Sequence, residues 1–140
     1  MPVESNCNVT ALRRASRHLT KLYDAELAPS GLRATQRGIL VQVARQGAPT
    51  MTELAAALVL DRTALNRNLK PMVEAGLLRV VADEEDRRSK RIRLSARGEA
   101  RIRDTRELWK RAQDRFEAAY GAREAAVLRS SLNAIASIEF

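Results

Sequence analysis

Residues 50–98 decide the fold of this chain and read TMTELAAALVLDRTALNRNLKPMVEAGLLRVVADEEDRRSKRIRLSARG. They begin with a capping box, because Thr50 is followed three places later by Glu53, just ahead of an apolar run. Such a box satisfies two backbone N–H groups at the start of a helix, and the alanine-rich residues behind it are strong helix formers. The pattern predicts a short helix over 51–58.

A second helix follows after a very short turn. Asp61 is a favoured N-cap residue, Gly76 suits the C′ position, and the apolar spacing between them predicts a helix over 62–75. Pro71 lies inside this helix and should kink it, because proline removes one hydrogen bond. Only residues 59–61 separate the two helices. Two short helices joined by so tight a turn are the elements of a helix-turn-helix.

Beyond this helix the hydrophobic period changes to that of a strand. Apolar and β-branched runs over 77–83 and 91–94 predict two short strands, and Ile92 and Leu94 alternate with arginines. The segment 84–90 is too polar to pack and predicts a hairpin with a charged tip. Six basic residues and no acidic residue lie between positions 87 and 97: Arg87, Arg88, Lys90, Arg91, Arg93 and Arg97.

The two faces of the second helix differ in chemistry. The apolar face should pack inward and consists of Leu65, Leu69, Met72 and Val73. The polar face carries the types of side chain that read base edges in a major groove: Arg62, Thr63, Asn66, Arg67 and Lys70. The alternatives are an ordinary amphipathic surface helix and, for the hairpin, a solvated charged loop.

Longer helices are predicted on both sides of this region. Apolar residues recur at helical spacing in four further segments, 9–28, 35–45, 95–120 and 124–138. Ser95 is placed to cap the third of these, and Gly98 with the charged residues after it is expected on an exposed face. The end helices have more apolar surface than one small domain needs. We therefore expect homodimerisation, with an intrachain bundle as the alternative.

The expected fold class is mainly α with a small β-hairpin, a winged helix-turn-helix flanked by N- and C-terminal dimerisation helices. We treat residues 1–140 as a single domain. Residues 32–98 form its winged DNA-binding region, and residues 9–30 and 99–140 are its dimerisation segments.

Composition restricts the class of partner. The formal net charge of +8 and pI of about 10.7 favour an anionic partner: nucleic acid, an acidic membrane surface or an acidic protein. Aromatic residues make up only 4%, which argues against single-strand binding by base stacking and favours duplex DNA. No apolar run approaches the ~20 residues that span a bilayer, and residues 1–10 lack the apolar core of a secretory signal. We therefore expect a cytoplasmic protein without a membrane partner.

Catalytic and metal sites are not expected. One cysteine and one histidine exclude an intrachain disulfide and make a cysteine-ligated zinc site implausible. The sequence also has no glycine-rich phosphate loop and no convincing set of catalytic serine, histidine and aspartate. We therefore predict neither an enzyme nor a cofactor.

Residues 86–98 resemble the wing signature of the MarR (multiple antibiotic resistance) regulators. That signature runs Asp, any, Arg, Ser or Ala, two of any, an aliphatic, any, Leu, Thr or Ser, two of any, Gly. Residues 61–69, with the Gly-Leu-Leu of 76–78 after them, are similar to the recognition helix of that family and the turn that follows it. The resemblance extends over nearly the whole chain.

The resemblance implies a homodimeric transcriptional regulator, and most often a repressor, on a pseudo-palindromic site in double-stranded DNA. Arg88 would enter the minor groove while Asp86 orients it through a bidentate ion pair. The major-groove residues would be Arg62, Thr63, Asn66 and Arg67. The phosphate contacts would be Lys70, Arg87, Lys90 and Arg91. A winged-helix module that acts in DNA architecture or protein interaction, without sequence specificity, is the alternative.

Two features bear on how such a regulator would be controlled. The first helix is basic, and Arg14 and His18 could bind an anionic effector such as an aromatic acid, or simply form a solvated face. Cys7 lies just before that helix, and peroxide-sensing members of the family carry a reactive cysteine near the N-terminus. Its neighbours are not basic, which favours an ordinary thiol over a redox sensor.

Overall fold

The computed structural model describes residues 4–140 and confirms the mainly helical fold with one antiparallel hairpin. The elements are, in chain order, α1 Asn8–Leu27, a 3₁₀ turn Ala28–Ser30, α2 Ala34–Gln46, α3 Met51–Leu58, α4 Arg62–Glu74, β1 Leu78–Ala82, β2 Lys90–Leu94, α5 Ala96–Tyr120 and α6 Ala122–Ala136. The chain divides into two compact units, a helical unit of Met1–Ala34 with Glu107–Phe140 and a winged unit of Thr35–Arg106.

The start of each helix in the helix-turn-helix follows from its cap. The N–H of Glu53 donates to Thr50 Oγ1 at 3.1 Å, and the Glu53 carboxylate accepts from the N–H of Thr50 at 3.3 Å, which completes the capping box of α3. Asp61 Oδ1 accepts from the N–H of Ala64 at 2.7 Å and caps α4. Between the helices the backbone of Val59 is left-handed, with φ of 53°. This conformation is costly for a β-branched residue, and it forms the tight turn.

Glycine ends α4 and turns the chain into the hairpin. Gly76 has φ of 76°, its N–H donates to Val73 O at 3.0 Å, and the N–H of Leu77 donates to Met72 O at 2.9 Å. This pair of bonds is a Schellman motif, which satisfies the last carbonyls of a helix. Pro71 lies inside α4 without ending it, as predicted.

The hairpin of β1 and β2 packs one face on the core of the winged unit. Leu78 pairs with Leu94, and Val80 with Ile92, so these four side chains share one face. The other edge of β2 is also occupied, because the N–H of Ile92 donates to Pro49 O at 2.8 Å. The most deeply buried large side chains of this unit include Leu40, Val43, Leu54, Leu65, Met72, Leu78 and Ile92.

Two of our expectations about burial are wrong. Val73 was expected inside, but it is 36% exposed at the edge of the face that Leu65, Leu69 and Met72 bury. Gly98 was expected on an exposed face, but it is buried. A Cβ atom added at Gly98 would lie 2.2 Å from Leu77 O, so the start of α5 can approach the hairpin this closely only because residue 98 is glycine.

Ser95 caps α5 as predicted and ties it to the end of α4. Its hydroxyl accepts from the N–H of Gly98 at 3.0 Å and donates to Gly76 O at 2.5 Å. Farther along, α5 meets α2 in the same unit, where Arg37 Nε donates to Thr105 Oγ1 at 2.8 Å. Both of these side chains are buried, and that burial lowers the pKa of Arg37.

The helical unit is held by polar contacts between α1 and α5. The Tyr23 hydroxyl donates to Gln113 Oε1, and Arg115 forms an ion pair with Glu26 at 2.8 Å. Burial raises the pKa of Tyr23. The last helix begins and ends earlier than the predicted 124–138. None of the helices described among residues 4–140 is long and apolar enough to cross a bilayer.

Candidate nucleic-acid interface

The predicted reading face of α4 is exposed along its whole length. The exposed side chains are Arg62, Thr63, Asn66, Arg67 and Lys70. The opposite face of the helix is immobilised in the core, because Leu65, Leu69 and Met72 are at most 3% exposed. A helix held this firmly presents its polar side chains in a fixed arrangement, which recognition of base edges requires.

A groove separates α4 from the hairpin and brings some of these residues together. Its volume is about 530 Å³. The floor is apolar and includes Met51, Leu69 and Val80, while cationic side chains from both elements line it. The polar and charged lining residues are Arg62, Asn66, Lys70, Glu74 and Lys90. The structure thus places three predicted DNA contacts of α4 beside one of the wing.

The tip of the hairpin corrects the role that we gave to Asp86. We expected its carboxylate to form a bidentate ion pair with a neighbouring arginine. Instead Asp86 Oδ1 accepts from the backbone N–H of Arg88 at 3.0 Å, and Asp86 O accepts from the N–H of Ser89 at 2.9 Å. In so tight a turn the carboxylate lies over its own backbone, as is typical of aspartate. Asp86 shapes the turn, and the side chains of Arg87 and Arg88 are exposed on it.

Arg91, which we expected to contact phosphate, is bonded to residues of its own unit. Its Nε lies 3.2 Å from Asp83 Oδ1 and its guanidinium donates to Ala48 O at 2.9 Å, with only 30% of the side chain exposed. The bond from Arg91 lowers the pKa of the Asp83 carboxyl, and the same contact raises the pKa of Arg91. Arg91 therefore anchors β2 to the segment between α2 and α3.

Asp83 is the residue that the sequence analysis missed. It follows β1 and lies on the same face of the hairpin as Arg91, because Val81 is the partner of Arg91 and side chains alternate along a strand. The sequence does place an acidic residue at the end of the first predicted strand and basic residues in the second strand. The register of the hairpin would have been needed to predict which arginine pairs with Asp83.

The regulatory candidates all lie in the helical unit. Arg14 and His18 are exposed on α1, and a spacing of four residues puts them on one face of the helix. Cys7 is an exposed free thiol at the N-cap of α1. It makes no capping hydrogen bond there, but interaction with the hydroxyl and then the backbone of Thr10 lowers the pKa of the thiol. The described residues contain no cluster of metal-ligating side chains.

A helix-turn-helix with an exposed reading face, followed by a basic hairpin, defines a winged helix-turn-helix protein. A family model described as the MarR family matches residues 30–89. No curated protein matches the sequence.

Solved structures extend the comparison to nearly the whole chain. The transcriptional regulator MosR of M. tuberculosis, in complex with DNA, is 38% identical, with a TM-score of 0.77 over 93% of this chain and 98% of that one. A cysteine-to-serine mutant of MarR from E. coli, complexed with operator DNA, is 22% identical, with a TM-score of 0.81 over 90% and 91%. CouR from Rhodococcus jostii, bound to p-coumaroyl-CoA, is 21% identical, with a TM-score of 0.80 over 100% and 99%.

The chain belongs to the MarR family of DNA-binding transcriptional regulators.

Proposed function

We propose that the protein is a homodimeric repressor that binds a pseudo-palindromic operator and leaves it when an effector binds. The observation that carries this proposal is the exposed polar face of α4, held rigidly by a buried apolar face and flanked by a basic hairpin. The DNA-bound structures of MosR and MarR support it, since both share this fold. It requires no catalytic step and no cofactor, and it places the protein in the cytoplasm with its DNA.

The roles of the DNA contacts follow from their positions. On α4, base edges in the major groove would be read by Arg62, Thr63, Asn66 and Arg67. Arg88, exposed at the tip of the hairpin, would enter the minor groove, where the negative potential is strongest when the groove is narrow. The phosphate contacts would be Lys70, Arg87 and Lys90. Arg91 would support the wing from within.

Apolar surface on the helical unit supports the homodimer. Val9 and Leu12 of α1 are 59% and 43% exposed, and Val127 and Ile135 of α6 are 60% and 49% exposed. Pairing of two chains through segments 9–30 and 99–140 would bury this surface. It would also set the separation of two winged regions, 32–98, on the DNA.

The effector that we propose is a small aromatic acid or its thioester, with Arg14 and His18 as the candidate cationic contacts. The p-coumaroyl-CoA bound to CouR, a protein of the same fold, supports this class of ligand. A second mode of control is oxidation of Cys7. Its thiol is exposed and the pKa of that thiol is lowered, and both features favour reaction with an oxidant. In that mode an oxidant would modify Cys7 and release the DNA.

The test of specificity is a fluorescence-anisotropy titration of promoter DNA from beside the protein's own gene, with a scrambled duplex as the reference. We expect promoter DNA to bind at least about 1,000-fold more tightly, and Arg88→Ala to weaken it by at least about tenfold. Arg103→Ala removes an exposed arginine of α5 in the same unit that is not a proposed DNA contact. Once sedimentation shows that this variant is still a dimer, it should bind as the parent does. Equal affinity for both duplexes would refute the proposal.

The two modes of control are separated on the same complex. Release by p-coumaroyl-CoA that is weakened in Arg14→Ala supports the small-molecule mode. Release by peroxide that is lost in Cys7→Ser supports the thiol mode. A complex that resists both reagents would contradict each of them.

A further inference from the structure

Two arginines face each other across the hairpin, away from its buried face. Arg79 of β1 is the direct partner of Arg93 of β2, and both are exposed. Direct partners in an antiparallel pair have Cβ atoms about 4.5–5.5 Å apart. Because side chains alternate along a strand, this pair lies on the face opposite to Leu78 and Ile92. It therefore does not line the groove beside α4.

No ion pair among residues 4–140 compensates the charge of Arg79 or Arg93. The next rung of the same face carries Arg91, whose charge is balanced by Asp83 at 3.2 Å. Neither Arg79 nor Arg93 belongs to an ion pair in the part of the chain that the structure describes. Ion pairs in that part include Arg91–Asp83, Lys110–Asp114 and Arg115–Glu26.

Like charges directly opposite each other destabilise a sheet, so the folded protein alone gains nothing from this arrangement. A bound anion would turn the repulsion into attraction. Guanidinium groups match phosphate oxygens with two parallel N–H donors each, and two of them this close can grip a phosphate from both sides. The same hairpin carries Arg87 and Arg88 at its tip, so a polyanion lying along it would meet both sites.

We propose that Arg79 and Arg93 form a phosphate clamp, which binds the backbone of duplex DNA outside the major groove that α4 reads. This inference rests on the proposed DNA-binding function and adds a contact that is independent of base sequence. The clamp contributes affinity and salt dependence, whereas the choice of operator stays with α4.

The experiment compares the parent with an Arg79→Gln/Arg93→Gln double variant on promoter and scrambled duplexes from 50 to 300 mM salt. The homodimer has one clamp in each subunit and each clamp binds one phosphate, so the variant loses two phosphate contacts. The slope of log K against log salt concentration should then become less steep by about 1.8. Affinity should fall by the same factor for both duplexes. The matched control is Arg103→Gln/Arg111→Gln, which removes two exposed arginines of α5 that are not proposed DNA contacts. Both lie in the proposed dimerisation segment 99–140, so sedimentation first checks that the control is as dimeric as the parent, and its slope should then stay near that of the parent.

Thermal unfolding separates this role from a structural one. The double variant should melt at or above the temperature of the parent, because the repulsion between the two arginines is gone. An unchanged salt slope would overturn the clamp, and so would weaker binding together with a lower melting temperature. Inorganic phosphate at matched ionic strength should change the melting temperatures of the parent and of the double variant alike. If it raises the melting temperature of the parent alone, the two arginines bind free phosphate and the clamp for DNA is overturned.

The outcomes also separate this inference from the proposed function. If the parent prefers its promoter but the double variant keeps the parent's salt slope, the clamp fails and the specificity stands. If the parent binds both duplexes equally, the proposed specificity fails, while the slope still tests the clamp.

Discussion

At the scale of single residues, Gly98 has the most demanding environment. Its backbone lies so close to the carbonyl of Leu77 that no side chain fits between them. The contact joins the start of α5 to the start of the hairpin. The identity of residue 98 therefore determines how closely α5 can approach the hairpin.

We predict that Gly98→Ala destabilises the protein by about 1–3 kcal/mol, the usual cost of forcing extra volume into a packed site. The matched control is Gly38→Ala in α2, where an added Cβ meets nothing within 4 Å. That change should stabilise the protein by up to about 1 kcal/mol, because alanine favours a helix interior over glycine. Urea unfolding measures both, and equal effects of the two changes would contradict this account of Gly98.

Local chemistry made some residues predictable and left others out of reach. Thr50, Asp61 and Ser95 were identified as caps, because capping depends on neighbours within four positions. The burial of Gly98 depends on Leu77, which is distant in sequence, and the role of Arg91 depends on the register of the hairpin. No local pattern contains that information.

At the scale of elements, the hairpin is a braced wing. Strand β2 bonds to β1 on one edge and to the segment between α2 and α3 on the other. Arg91 adds a side-chain link across this second edge through Ala48 O, and Asp83 holds the guanidinium in place. The base of the wing is therefore fixed, while its tip extends with exposed arginines.

We predict that Asp83→Asn lowers the melting temperature at neutral pH and that this difference disappears in acid. The pKa of Asp83 is lowered in the folded protein, so its stabilising effect is complete above the ordinary aspartate pKa of about 3.9. The effect declines as the pH falls from there toward the lowered pKa of the folded state, and below that pKa it is lost.

Melting temperatures between pH 2.5 and 7 provide the measurement, with exposed Asp104→Asn as the control. A difference from the parent that stays constant over the whole range would show that the charge of Asp83 is not responsible.

The elements of the winged unit were predicted closely because their ends carry strong signals. The helix predicted over 51–58 is α3 itself, and the helix over 62–75 ends one residue earlier in the structure. The last helix was predicted two residues too late along the chain. In the structure α6 begins after Gly121, which has a φ of 113° and no side chain that could cap the helix. A helix without a capping side chain offers little local evidence of its start.

At the scale of the whole molecule, function depends on two partners, a second copy of the chain and duplex DNA. The apolar side chains left exposed on α1 and α6 would be buried if a second copy of the chain packed against them. The net charge of +8 fits a polyanion, and family membership supplies duplex DNA as that partner. Composition alone left nucleic acid, membrane and acidic protein open, and the pattern of the wing was needed to choose among them.

In the proposed dimer, two copies of α4 and its wing read a defined DNA sequence. This is tested by selection from a duplex library with a randomised core, followed by sequencing of the bound fraction. We predict one enriched inverted repeat whose half-site centres lie about 10 base pairs apart, and Asn66→Ala should relax the choice of base at one position in each half. A bound fraction with no enriched sequence, or with a single half-site and no repeat, would contradict the account.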